Sequence, residues 1–159
     1  MLETSGPSKP AGHRELGVVS FEVDDQSGEE LATGLDRVRA LPGVHDVVQM
    51  AAFGKKSRLA VHVQVLAAPD ALDEVVAACF RETTTIGLRT HLVQGRALPR
   101  RFSEVEVEGH VMTVKLVDRP TGPVTGKAEA DHLRTIPTHA ARARLRRKAE
   151  RMAEAQDPA

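Results

Sequence analysis

Tryptophan and tyrosine are absent from this sequence, and phenylalanine occurs only four times in 159 residues. A core must therefore be assembled from Val, Leu, Ile and Ala, and few aromatic faces remain on which a nucleic-acid base could stack. Cysteine occurs once, at Cys79, which excludes a disulfide framework and leaves almost no room for a cysteine-based zinc site. Neither sign of charge is in excess: 22 basic and 22 acidic side chains cancel, so no whole-surface attraction draws the chain to nucleic acid or to a membrane. No apolar run is long enough to cross a bilayer, and "MLETSGPSKPAGHRE" lacks the hydrophobic segment of a signal peptide. The expectation is a soluble, cytoplasmic protein of one domain length with no membrane partner.

What is present has a clear periodicity. Residues 1–15, rich in Ser, Gly and Pro, read as a flexible lead-in. "LGVVSFEV" alternates Val19, Phe21 and Val23 against Ser20 and Glu22, the pattern of a strand. Ser27 is a helix cap with Glu29 and Glu30 in the first turn, and Leu31, Leu35, Val38 and Leu41 follow at helical spacing until Pro42-Gly43. "VHDVVQMAAF" and "RLAVHVQVLA" form a strand pair turning through "GKKS", and Pro69-Asp70 opens a second helix bearing Leu72, Val75, Val76 and Cys79. "TIGLRTHLVQGRAL" reads as a fourth strand. The order strand, helix, strand, strand, helix, strand is the α+β, ferredoxin-like split βαβ pattern, a helix-on-sheet sandwich. A hairpin turning at Glu108-Gly109 and a Pro/Gly-rich link follow, then a basic helix over about residues 137–155. The predicted organisation is a domain over 16–120 that includes the hairpin, with linker and helix over 121–159.

This topology brings the end of the first strand, the turn between strands two and three, and the start of strand four to one edge of the sheet. Those places carry Asp24-Asp25, the run Lys55-Lys56-Ser57-Arg58, and Arg81-Glu82-Thr83-Thr84-Thr85. The opposite edge carries plain connector sequence. Lys and Arg donate to phosphate oxygens, Arg bidentately, while Asp24, Asp25 or Glu82 offers the oxygen donors that Mg²⁺ or Mn²⁺ prefers. Taken singly, the lysine turn reads equally as a solvated hairpin loop, Asp24-Asp25 as a connector, and Arg81-Glu82 as a helix-end ion pair. Their convergence is the argument for a site that binds a nucleotide with a divalent cation.

Other motifs fail. "GPVTGKA" has one residue too few between its glycines for a phosphate loop and Ala128 in place of the hydroxyl residue. His132 and His139 are too isolated for a zinc site, and His45, His62, His91 and His110 within predicted strands read as structural or exposed. The C-terminal helix carries an apolar stripe of Leu145, Ala149 and Met152 among Arg142, Arg146, Arg147, Lys148 and Arg151. That pattern suits docking on the domain or on another subunit, and alternatively binding of phosphate or RNA.

Residues 80–89, "FRETTTIGLR", resemble the segment FRETTTLGVR of the LarC-type nickel-insertion proteins. "VDDQSGEELA" is similar to that family's IDDM-x-PEEL stretch, with Gln26 in place of Met, and "FGKKSR" to its MKKNRPG turn, without the PG. "GKAEADHLR" is similar to its VKPEYEDC segment, keeping Lys127, Glu129 and Asp131. The motifs occur in the family's order over about residues 16–135 and correspond to the C-terminal domain of those proteins.

The resemblance implies a place in nickel-pincer nucleotide synthesis. There CTP, with Mn²⁺ or Mg²⁺, drives nickel insertion into pyridinium bisthiocarboxylic acid mononucleotide, and the C-terminal domain holds the metal–CTP complex. On that basis Lys55, Lys56, Arg58, Arg81, Thr83, Thr84, Thr85, Arg89 and Lys127 are expected nucleotide contacts. Asp24, Asp25 and Glu82 are expected cation ligands or orienters, and nickel is the substrate metal. The resemblance further implies part of a CTP-dependent nickel chelatase, a lyase, working with a separate partner that supplies the family's N-terminal domain. A homo-oligomer is also expected, and nucleic acid is disfavoured. The alternative is a non-enzymatic, oligomeric ferredoxin-like module that docks a protein or RNA through its basic helix.

Overall fold

The computed structural model describes residues 13–157. The chain divides into two compact units, one of residues 13–95 and one from residue 96 onward. The lead-in expected over 1–15 falls outside the described residues up to residue 12, and residues 13–15 already belong to the first strand.

In the first unit, β1 (His13–Val23), β2 (Val44–Phe53), β3 (Leu59–Ala67) and β4 (Arg89–Arg96) form one sheet in the order β2-β3-β1-β4. β3 runs antiparallel to both neighbours, pairing Phe21 with Val63 on one side and Met50 with His62 on the other. Helices α1 (Gly28–Arg39) and α2 (Leu72–Glu82) complete the ferredoxin-like pattern. α1 starts where the sequence places its cap: Ser27 accepts from the Glu30 amide, and the Glu30 carboxylate answers the Ser27 amide in a capping box. The core joins Val19, Phe21, Val63 and Val65 of the sheet to Leu31, Leu35 and Val38 of α1 and Val75, Ala78 and Cys79 of α2. Cys79 is fully buried, and burial pushes its thiol up to about 11, so it is a core residue with no thiolate to offer at neutral pH.

The two helices touch at backbone distance. A Cβ added to Gly34 in the middle of α1 would stand 2.3 Å from the carbonyl oxygen of Glu82. The last turn of α2 therefore seats directly on α1, and the threonine run begins at that seat.

The second unit has its own sheet, β5 (Arg100–Val107), β6 (His110–Val117) and β7 (Thr125–Ala128), covered by α3 (His139–Gln156). Glu108 and Gly109 turn the hairpin with φ of 53° and 79°, the left-handed values that a two-residue hairpin loop requires. Leu145, Ala149 and Ala153 pack α3 onto Val105, Val107, Met112, Val114 and Leu116. The buried stripe uses Ala153, with Met152 half-buried beside it.

The hairpin expected inside a domain over 16–120 thus belongs with the C-terminal helix, because β7 pairs with β6 and α3 needs that sheet to bury its stripe. β7 itself, four residues long and containing Gly126, has no strand signal of its own. Its edge amides are satisfied by α3: Gly126 N–H donates to Glu154 at 2.6 Å and Ala128 N–H to Glu150 at 3.2 Å. Among the described residues no helix is long and apolar enough to cross a membrane.

Candidate functional site: the loaded edge of the first sheet

Three connections meet at one end of the β2-β3-β1-β4 sheet, and side-chain bonds tie them together. β1 runs out at Val23 into Asp24, Asp25 and Gln26 before the Ser27 cap. The β2–β3 turn is a single 3-10 turn over Lys55–Ser57, closed by the Gly54 amide donating to the Arg58 carbonyl at 2.8 Å. Arg58 then reaches Asp24 at 3.0 Å. From the α2–β4 loop, the Thr84 hydroxyl donates to Asp25 at 2.5 Å and the Thr84 amide to the Gln26 side chain at 3.3 Å. The acid–base–hydroxyl convergence expected from the topology is present among these residues.

The three threonines divide the work. Thr83, nine-tenths buried, donates its hydroxyl to the Cys79 carbonyl at 2.7 Å and so caps the end of α2. Its oxygen also accepts from the Thr85 amide at 3.4 Å. Thr85 donates to the Gly87 carbonyl at 2.9 Å. Thr84 alone points its hydroxyl to the carboxylates of the β1–α1 loop. Three β-branched residues in a row are thus explained: this is neither helix nor strand but a loop held by its own hydroxyls.

The remaining expected residues stand as follows. Arg89 opens β4 and contacts Glu22 at 3.1 Å. Glu82, largely buried, is held between Arg37 of α1 at 3.4 Å and Arg81 at 3.3 Å, and Arg81 also approaches Glu74 at 3.9 Å. Lys55 is exposed on the turn, and the side chain of Lys56 lies outside the described residues. Lys127 belongs to the second unit, exposed on β7 in register with Lys115. Among the described residues no three His, Cys, Asp or Glu side chains gather closely enough to cage a metal ion.

Two residues at this edge are not among the expected site residues, His62 being expected as structural or exposed. Glu22 and His62 are exact cross-strand partners, and His62 Nδ1 lies 2.9 Å from Glu22. Hydrogen bonds from His62 and then Arg89 hold the Glu22 carboxyl below the usual carboxylate range. The alternation of Val61, Val63 and Val65 puts His62 on the face away from the helices. Only the β1–β3 register puts a carboxylate beside it.

A mixed α/β unit with its two helices packed on an antiparallel sheet defines the ferredoxin-like class of domains, and comparison with known proteins narrows it. Residues 2–144 match the family described as nickel insertion protein, and the chain belongs to that family. It is 34% identical over 131 residues to a putative nickel insertion protein of Synechococcus elongatus, spanning 82% of this chain and 32% of that one. A Wolinella succinogenes protein of the same description is 35% identical over 130 residues, with the same coverage. An Alkaliphilus metalliredigens protein described as a pyridinium-3,5-bisthiocarboxylic acid mononucleotide nickel insertion protein is 27% identical over 104 residues, 65% of this chain and 24% of that one. The chain therefore spans about a third of the length of the first two of these curated relatives.

Among solved structures, it is similar to LarC2, described as the C-terminal domain of a cyclometallase involved in synthesis of the NPN cofactor of lactate racemase. That match has a TM-score of 0.73 and 22% identity, over 92% of this chain and all of that one. A Methanopyrus kandleri protein matches with a TM-score of 0.64 and 23% identity, over 91% of this chain and 89% of that one. At these identities the structural matches establish the fold.

Proposed function

We propose that this chain binds a divalent cation–nucleoside triphosphate complex, CTP with Mn²⁺ or Mg²⁺, at the loaded edge of its first sheet. In this reading it serves nickel insertion into pyridinium bisthiocarboxylic acid mononucleotide, with nickel as the substrate metal. The observation that carries the reading is the pairing of Asp24 with Arg58 beside Asp25 with Thr84. Each pair joins a group suited to the cation with a group suited to phosphate. Mg²⁺ and Mn²⁺ keep several waters and need only one or two carboxylates besides phosphate oxygens, so the adjacent, exposed Asp24 and Asp25 fit such an ion without a protein cage.

Arg58 would offer its guanidinium to phosphate oxygens, a bidentate match, and Asp24 and Asp25 would offer carboxylate oxygens to the cation. The Thr84 hydroxyl would donate to the phosphates. Lys55, Lys56 and Arg89 add positive charge along the phosphates. Thr83 and Thr85 hold the loop in shape, while Arg81 and Glu82 orient it from the end of α2. The bound cation supplies charge neutralisation of the phosphates. CTP in particular rests on the family resemblance.

Calorimetric titration of the four nucleoside triphosphates with Mn²⁺ tests the proposal. CTP is expected to give the strongest heat, and silence for all four in folded protein would sink it.

A further inference from the structure

Three apolar side chains at the loaded edge stand in water, and the phosphate and cation contacts make no use of them. Ile86 is 100% exposed, Phe53 79% and Leu59 62%, the highest values for large apolar side chains among the described residues. A single exposed leucine is ordinary on a folded surface. Their placement is not ordinary: Phe53 and Leu59 flank the turn over Lys55–Ser57, and Ile86 follows Thr85. Phe53 and Leu59 are also cross-strand partners, so their side chains lie side by side on one face of the sheet.

Register identifies the face. Val47 pairs with Val65 and Gln49 with Val63, and Val47, Val63 and Val65 belong to the core beneath the helices. Phe53 and Leu59 therefore continue the helix-covered face beyond the point where the core ends. One row further in, Val61 faces Ala51 on one side and Val23 on the other, and Val23 is the last residue of β1 before Asp24 and Asp25. The apolar pair thus stands level with the carboxylates. Two strand spacings, roughly 10 Å, separate the strand of Phe53 from theirs, a span that a ribose and its phosphates bridge past the Lys55–Arg58 turn.

We infer that the Phe53 ring, with Leu59 beside it, is the shelf on which the nucleotide lays its base. The inference rests on the nucleotide reading above and deepens it, giving the uncharged part of the ligand a contact of its own. Every base has a π-face, and stacking takes that face and the exposed ring out of water together. No other phenylalanine is so placed: Phe21 is buried in the core, Phe80 rides on α2, and Phe102 belongs to the second unit, with the Lys115 ammonium 5.8 Å from its ring centre. Stacking tolerates any base, so the shelf favours a nucleotide over bare triphosphate and does not by itself select CTP.

The test is calorimetry of the full 159-residue chain with Mg²⁺–CTP and with Mg²⁺–tripolyphosphate, which keeps the charged chain but has no ribose or base. Phe53→Ala is expected to weaken CTP binding about tenfold, the scale of one base stacked on one ring. Tripolyphosphate should bind as it does to the parent, and Phe53→Tyr should restore CTP. In the parent, NMR of the Mg²⁺–CTP complex is expected to show nuclear Overhauser contacts between the cytosine ring protons and Phe53, a measurement that needs no variant. CTP affinity unchanged in Phe53→Ala, or a bound complex without those contacts, overturns the inference. So does an equal loss for tripolyphosphate, which would mean that Phe53 merely shapes the lysine turn. Tripolyphosphate binding with CTP no tighter removes the shelf and leaves the phosphate and cation reading standing. Silence from both ligands refutes that reading and the shelf with it.

Discussion

The seat of α2 on α1 makes Gly34→Ala the most telling single substitution. Glycine in a helix interior is disfavoured relative to alanine by about 1 kcal/mol, so on propensity alone the change should stabilise. The structure reverses that sign. The added methyl would lie 2.3 Å from the Glu82 carbonyl oxygen, roughly 1 Å inside van der Waals contact. The obstacle is backbone, so relief requires moving the end of α2 away from α1, which places the cost near the top of the range of about 1–3 kcal/mol for overpacked cores. The net expectation is destabilisation by about 2 kcal/mol, a fall in urea midpoint of about 1 M. Because Glu82 leads directly into Thr83-Thr84-Thr85, the shift should also pull Thr84 from Asp25 and weaken nucleotide binding. Gly28→Ala is the control: it lies in the first turn of the same helix with nothing within 4 Å, and should be neutral or slightly stabilising. Gly34→Ala as stable as the parent would show that the helices do not meet there.

Other expectations follow from single contacts. Lys55→Ala combined with Arg58→Ala should lower nucleotide affinity at least tenfold in calorimetry. The thermal midpoint should hardly change, since the exposed Arg58–Asp24 pair contributes under about 1 kcal/mol; a collapse of stability with intact binding would make these residues structural. Ser57 sits at φ 56° in the β2–β3 turn, a conformation that disfavours L-residues by about 1–2 kcal/mol and that Asn tolerates better. Ser57→Asn should therefore raise the thermal midpoint, and no change would mean the turn relaxes freely. The Ser27 hydrogen bonds hold the Glu30 carboxyl below its ordinary value of 4.5. The capping box therefore contributes fully above that pH and fades as pH falls through the lowered folded value. Urea midpoints at pH 7 and pH 3.5 should drop more for the parent than for Glu30→Gln, whose neutral side chain can cap but does not titrate.

The site was legible to different depths. Asp24, Asp25, Arg58 and Thr84 could be placed at one edge because the strand–helix order specifies the sheet topology, and topology specifies which loops are neighbours. Their contacts agree: Thr84 meets Asp25 across 59 positions of chain. His62 and Glu22, 40 positions apart, could not be paired from sequence, since a one-residue slip in register would set Phe21 or Val23 opposite His62. The hairpin over 100–117 was read with its turn at Glu108-Gly109, yet its partner sheet was not. β7 is too short and too small in side chain to announce itself, and forms where β6 and the two glutamates of α3 receive it.

By itself the sequence determined the local features: the Ser27 capping box, the alternating strands, the stop at Pro42-Gly43, the hairpin turn and the family to which the chain belongs. These depend on neighbours within a few residues, where dihedral preference and periodicity dominate. Only the tertiary structure decided which strands share a sheet, where α2 seats on Gly34, and that a carboxylate stands behind His62. Those choices depend on register and close packing between segments far apart in the chain, where a shift of one residue or 1 Å changes which groups meet.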